Sequence, residues 1–270
     1  SEVQKLTTGC AVVAHGALAS GRVVLGHIDT FDSLDAWAGW LAQAGDWVGG
    51  FDLPFALPRE LVEQLGWPTE WAACMDHYAG LTRQAIREQF KAFCAARPAG
   101  GKFAHRATDG PAGASPSMKW VNPPVAYMLH AGLPLLRAAG VHLPGLQPPG
   151  KGDARRVALE AYPGMLARAV IGRLSYKSDE PARQTPERHQ ARVQLLAALE
   201  RGDNPLALRL CIDAEETRNQ LLADGSGDNV SPNSYRYLWF RLITPAEIAT
   251  GNNTEQTMTV TVTAAASTTY

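Results

Sequence analysis

The stretch Gly49-Gly50-Phe51-Asp52-Leu53-Pro54-Phe55, GGFDLPF, ends an apolar run on a carboxylate and sets a proline two residues beyond it. Asp46-Trp47-Val48 lead into a buried strand. Pro54 and Pro58 forbid its continuation, because proline cannot donate to a ladder. The spacing predicts a strand over 47–51 with Asp52 at its carboxyl end. A second run, Val157-Ala158-Leu159-Glu160-Ala161-Tyr162-Pro163, repeats the pattern, with an acid at the strand end and a proline three residues on.

Upstream, CAVVAHGALASGRVVLGHI (10–28) reads as a hairpin around Ser20-Gly21. A helix follows, capped by Asp32 or Ser33, with Leu34, Trp37 and Leu41 on one face. Downstream of the strand, Pro58 opens a short helix that Gly66 ends. Trp71, Met75 and Tyr78, then Ile86, Phe90 and Phe93, fall at helical spacing. Residues 98–124 turn rich in Gly, Pro, Ser and basic side chains, and a long loop of this kind inside a folded chain is more often functional than idle. Helix returns over 125–140, again to about Ile171, and from Thr185-Pro186-Glu187 to Gly202. Strands alternating with helices predict an α/β fold with a mixed sheet flanked by helices.

The chain has 270 residues, 46% of them hydrophobic, enough to bury one large core. With 25 basic against 26 acidic residues there is no global field toward nucleic acid or an anionic membrane, so any such contact needs a local patch. Cys10, Cys74, Cys94 and Cys211 lack the close pairs of zinc sites and read as reduced core thiols. The absence of a membrane-length apolar run and of a signal-peptide pattern sets the expectation of a cytoplasmic chain with no membrane partner. There is no Walker loop, no GxGxxG after a strand, no GxSxG elbow and no HExxH, which argues against nucleotide-cofactor and serine-hydrolase chemistry.

In an open α/β sheet, ligands bind outside the carboxyl ends of the strands, so Asp52 and Glu160 are expected to share a site. Two bare carboxylates about 4 Å apart repel by roughly 4 kcal/mol at an effective dielectric near 20, and such a pair wants a proton or a cation. Oxygen ligands without histidine favour Mg²⁺ or Mn²⁺, the equipment of metal-assisted phosphodiester hydrolysis. An acid after a strand also serves as a turn former or a helix cap. Lys102, His105, Arg106 and Lys119 in the long loop, and Lys177 and Arg183 further on, form candidate phosphate contacts beside Arg173 and Arg188. Any single one of them reads first as an ordinary solvated charge, and it is the cluster that points to phosphate. Tyr162, Trp120 and Tyr127 are candidates for stacking on bases or for the core.

GGFDLPFALPRELVEQLGWP, KFAHRATDGPAGASPSMKWVNPPV, LEAYPGMLARAVIGRLSYKSD, QTPERHQAR and DGSGD together resemble a domain-of-unknown-function family of predicted RNase H-like nucleases, over about Cys10 to Asp228. The resemblance implies an RNase H-like sheet with strand-end acids holding a divalent metal. By its motifs, Asp52 matches the acid of FDxPF, Glu160 that of EAYP and Asp228 that of a late GD, which gives the expected ligand and catalytic set Asp52, Glu160 and Asp228. It implies a nuclease, with a non-catalytic nucleic-acid- or phosphate-binding domain as the alternative.

The chain departs from the family pattern at both ends. The first strand with its early aspartate has no counterpart before Cys10, and the helix with a further aspartate has none after Asp228. The sequence thus divides into an RNase H-like unit over 1–228, with a helical insertion, and an atypical Thr-rich tail over 229–270. In that tail TMTVTVTAA, 257–265, has the alternation of a strand.

Overall fold

The computed structural model describes residues 11–19, 22–148, 150–177, 185–212 and 238–243. Strands β1 (Ala11–Ala19) and β2 (Arg22–Phe31) form the expected antiparallel hairpin. Ser33 caps α1 (Leu34–Leu41) by accepting the Ala36 N–H at 3.1 Å, and Trp37 and Leu41 are its buried face. Strand β3 spans Trp47–Phe51, as the proline spacing predicts. In it Trp47, Gly49 and Phe51 share the core face, and the missing side chain at Gly49 leaves the two rings room to approach to 6.0 Å.

Helices α2 (Arg59–Gln64), α3 (Trp71–Ala79), α4 (Arg83–Ala95), the one-turn α5 (Asp109–Ala112) and α6 (Val125–Ala138) follow, then the short β4 (Val141–His142). Strand β5 (Asp153–Glu160) carries the second strand-end acid. Helices α7 (Pro163–Ile171) and α8 (Pro186–Arg201) and the short strand β6 (Leu210–Ile212) come next, and β7 (Leu238–Ile243) last. Thr185 caps α8 and Gly202, at φ 81°, closes it, both as the sequence predicts.

The strands form one sheet in the order β4-β5-β3-β7-β1-β2-β6. The α/β reading with a mixed sheet therefore holds: β3 pairs parallel to β5, β1 pairs antiparallel to β2, and β7 runs parallel to β1 and antiparallel to β3. Strand β7 belongs to the segment over 229–270 that the sequence sets apart as a tail, yet it sits inside the sheet, between β3 and β1. The Thr-rich alternation at 257–265 lies outside the described residues.

One large core joins β3 to the helices, with Trp67, Tyr78, Phe90 and Leu133 deep in it. A smaller one, Ala14, Leu25, Leu196 and Leu210, lies under α8. Cys74 and Cys94 are buried free thiols, and burial pushes the Cys74 thiol up to about 11, which suits inert core positions. Among the described residues no helix is long and apolar enough to cross a membrane.

Candidate functional site

Strands β3 and β5 lie side by side, parallel and in register, with Phe51 opposite Glu160. The Ala161 N–H donates to the Phe51 carbonyl at 2.9 Å and carries the pairing one step past both strand ends. Asp52 and Glu160 therefore emerge together at the carboxyl edge, where the two sequence motifs place them. Both line one open cavity of about 470 Å³, lined also by the 122–128 segment, α7 and residues 172–177.

The cation that Glu160 needs comes from the chain itself. Arg106, delivered by the Gly/Pro-rich loop, donates from Nη1 to Glu160 Oε2 at 2.7 Å and from Nη2 to Oε1 at 2.6 Å. The Phe55 N–H adds a bond to Oε2 at 2.9 Å. On its other side Arg106 grips Asp109, whose Oδ1 accepts from Nε at 3.0 Å and from Nη2 at 2.8 Å. The Arg106 N–H closes a turn onto Asp109 Oδ2 at 2.9 Å. The Asp109 side chain is fully buried and that of Arg106 is 14% exposed. Burial works against the Arg106 charge, but the hydrogen bonds and charges of Glu160 and Asp109 outweigh it and hold the guanidinium protonated beyond its ordinary range.

Asp52 stands differently. Burial, and less strongly the Glu160 charge, push its carboxyl above the ordinary 3.8, while Lys177 pulls the other way. A carboxyl held out of its range in a cleft by burial and a neighbouring acid marks a candidate functional site. The raised value sets a sign for stability. The protonated form is favoured on folding, so the penalty is absent below 3.8, where both states carry the proton, and grows as pH rises through the folded value. Asp52→Asn is therefore expected to melt higher than the parent at neutral pH and level with it below 3.8. A Tm difference that does not close on acidification would show that the substitution acts through something other than the charge.

Arg168, in the second turn of α7, lines the cavity. Its Nη2 donates to the Gly113 carbonyl and to the Tyr162 hydroxyl, each at 3.0 Å. Gly113 turns there with φ 60°, and a Cβ on it would overlap the Arg168 guanidinium. Tyr162 is 37% exposed on the lining, so it is not a core ring, whereas Trp120 and Tyr127 pack against the large core.

Of the six phosphate-contact candidates, Arg106 and Lys177 line the cavity. Lys102, His105 and Lys119 lie outside that lining, and Arg183 falls outside the described residues, as does the third acid, Asp228. Arg168 and Asp109 escape sequence reasoning. Asp109 is legible only as the i+3 partner of Arg106, and Arg168 only as a base on the helix that leaves the EAYP strand end.

The expected metal set can be tested against these contacts. Mg²⁺ is usually held by one or two carboxylates, with water and substrate phosphate completing the shell. Asp52 suits that role. Glu160 does not: three of its roughly four acceptor positions are taken, and a guanidinium sits against both oxygens. Among the described residues the trio thus reduces to Asp52, and Glu160 is better described as the anchor of Arg106.

No family model, curated protein or solved structure matches this chain. What the cavity binds is read from its own side chains.

Proposed function

We propose that this cavity binds a phosphate-bearing ligand, a nucleic-acid strand in the first place, on an RNase H-like domain. The observation that carries the reading is the charge of the lining. Two acids, Asp52 and Glu160, face four bases, Arg106, Arg168, Arg173 and Lys177. The Arg106–Glu160 pair cancels, which leaves one half-buried acid against three cations, a field suited to an anion. Exposed Tyr162, with the Arg168 guanidinium 5.9 Å from its ring centre, adds a face on which a base can stack. The RNase H-like assignment draws support from an antiparallel β1–β2 pair in the same sheet as parallel β3–β5, whose carboxyl ends carry acids. Strand β7, next to β1 in the sheet interior, has no acid in its sequence to replace the family's early aspartate.

The test is fluorescence anisotropy with labelled single-stranded oligonucleotides across a salt series, in chelator and in Mg²⁺. Arg168→Ala and Lys177→Ala are each expected to weaken binding and to flatten the slope of log K against log salt by about 0.7, the contribution of one phosphate contact on a single strand. Unchanged slopes in both would overturn the assignment of these cations. Inorganic phosphate competing at the same concentration of phosphate groups would point to a small-molecule site instead.

A second reading, divalent-metal phosphodiester hydrolysis by a nuclease, is favoured by Asp52, an acid that among the described residues has no guanidinium partner, at the edge where a substrate phosphate would lie. Mg²⁺ or Mn²⁺ bound there would supply Lewis-acid activation of the phosphodiester. Arg168 and Lys177 would hold the flanking phosphates, and Arg106 would keep Glu160 away from them. Metal-dependent cleavage lost in Asp52→Asn supports this reading; cleavage that persists in excess chelator or in Asp52→Asn sinks it.

A further inference from the structure

A second chemical site lies on the hairpin, away from the cavity. His15 on β1 and His27 on β2 are direct cross-strand partners, and Asp29 follows His27 by two residues, on the same face. The imidazoles stack with centroids 4.1 Å apart. His15 Nε2 lies 2.8 Å from Asp29 Oδ2, and His27 Nε2 lies 3.6 Å from the same oxygen. One ligand atom from each of the three side chains falls within 4.8 Å of the others, and among the described residues this is the grouping of metal-ligating side chains with that geometry.

The convergence is built by a β-bulge. From Ala19–Arg22 to Gly16–Leu25 the hairpin keeps one register, then it shifts, and His15 meets His27 where an unbroken register would have set it against Gly26. Without the extra residue at Gly26, His27 and Asp29 would point to the other face. The bulge, with Gly26 as its extra residue, places both on the face of His15.

We propose that His15, His27 and Asp29 form a Zn²⁺ site with an open fourth position. Two imidazoles and one carboxylate are a three-protein-ligand set of the kind zinc takes when it keeps a water or a substrate in its fourth place. Tetrahedral bonds of about 2.05 Å put ligand atoms about 3.3 Å apart, which the 2.8 and 3.6 Å separations bracket. The set is also asymmetric in a useful way. The His15 side chain is 7% exposed and its ring is held edge-on by Trp40 at 5.7 Å, so one ligand is fixed. His27 and Asp29 are 63% and 42% exposed, so the ion can enter from solvent and the open position faces outward. The rings are nearly parallel, at 9°, and an ion in the plane of both requires His27, the exposed partner, to turn.

The experiment uses the full chain stripped with chelator and titrated with Zn²⁺ by calorimetry, and with Co²⁺ by visible absorption. One ion per chain is expected, with the intense visible bands of tetrahedral Co²⁺. His27→Ala and Asp29→Asn, both at exposed positions that leave the fold intact, are each expected to weaken binding by about a hundredfold or more, since even loss of an outer-shell partner costs ten- to a hundredfold. His189→Ala, on the exposed face of α8, serves as the control and leaves affinity unchanged. A chain that takes up no stoichiometric Zn²⁺, or one whose affinity survives His27→Ala, overturns the assignment and leaves the three side chains as a structural stack. Oligonucleotide binding at the cavity is read separately, so either site can fail without the other.

Discussion

Arg106→Ala is expected to lower the unfolding free energy by about 3–5 kcal/mol, the usual loss when one partner of a buried ion pair is removed. The reason is what it leaves behind. Asp109 has a fully buried side chain and loses both side-chain hydrogen bonds to its Oδ1, keeping only the backbone N–H on Oδ2. Glu160 keeps only the Phe55 N–H, and its repulsion with Asp52 is no longer offset by the guanidinium. A buried carboxylate stripped of its counter-ion is the costly outcome. The denaturant midpoint at pH 7 checks it. A loss under about 1 kcal/mol would mean that water reaches Asp109 and screens it as it screens a surface pair. Arg106→Lys should recover little, because an ammonium cannot bridge two carboxylates with a planar fork.

Phe90→Ala should cost about 3–5 kcal/mol by a different route, the loss of apolar contacts plus the cavity left behind. Phe90 is fully buried and stacks on Tyr78 with centroids 6.2 Å apart and planes at 5°, with Trp67 at 6.1 Å and Trp120 at 6.4 Å. Tyr78 is tied down by its hydroxyl, which donates to the Ala126 carbonyl at 2.9 Å, so the surrounding rings cannot simply collapse into the space. The check is an equilibrium urea transition whose midpoint falls while its slope stays constant. Phe90→Leu, which keeps most of the volume, should fall markedly less.

These expectations show where the sequence is informative. Strand β3 ends where Pro54 and Pro58 demand, and β5 ends with its acid in register, because chain-local rules of strand termination decide both. The caps of α1 and α8 are equally local. The Arg106 fork is not. A basic residue in a Gly/Pro loop reads as solvated or phosphate-binding until its partner across the fold is seen, and here that partner is Glu160 on a strand more than fifty residues away, with the pair already satisfied internally. The same holds for the metal question. Asp52 and Glu160 were legible as a pair, but the cation that Glu160 holds is Arg106, shared with Asp109 and not with Asp52. The histidine pair was invisible, since a one-residue bulge at Gly26 decides which face His27 takes and no periodicity announces it. Strands β4 and β6 are too short for a pattern, and β7 earns its place by pairing with partners far away in sequence.

Strand β7 also sets an order of events. Within the sheet it alone bridges the half made of β4, β5 and β3 to the half made of β1, β2 and β6. On a ribosome adding about 5–20 residues per second, β1 and β3 emerge roughly ten to forty seconds before their shared neighbour. For that interval each nascent half carries an open backbone edge of unpaired N–H and C=O groups, where another chain can add. Among the described strands the last to be made is thus the one that closes the seam, and crowding of unfinished chains, more than the strength of the finished core, would be the hazard in producing this protein.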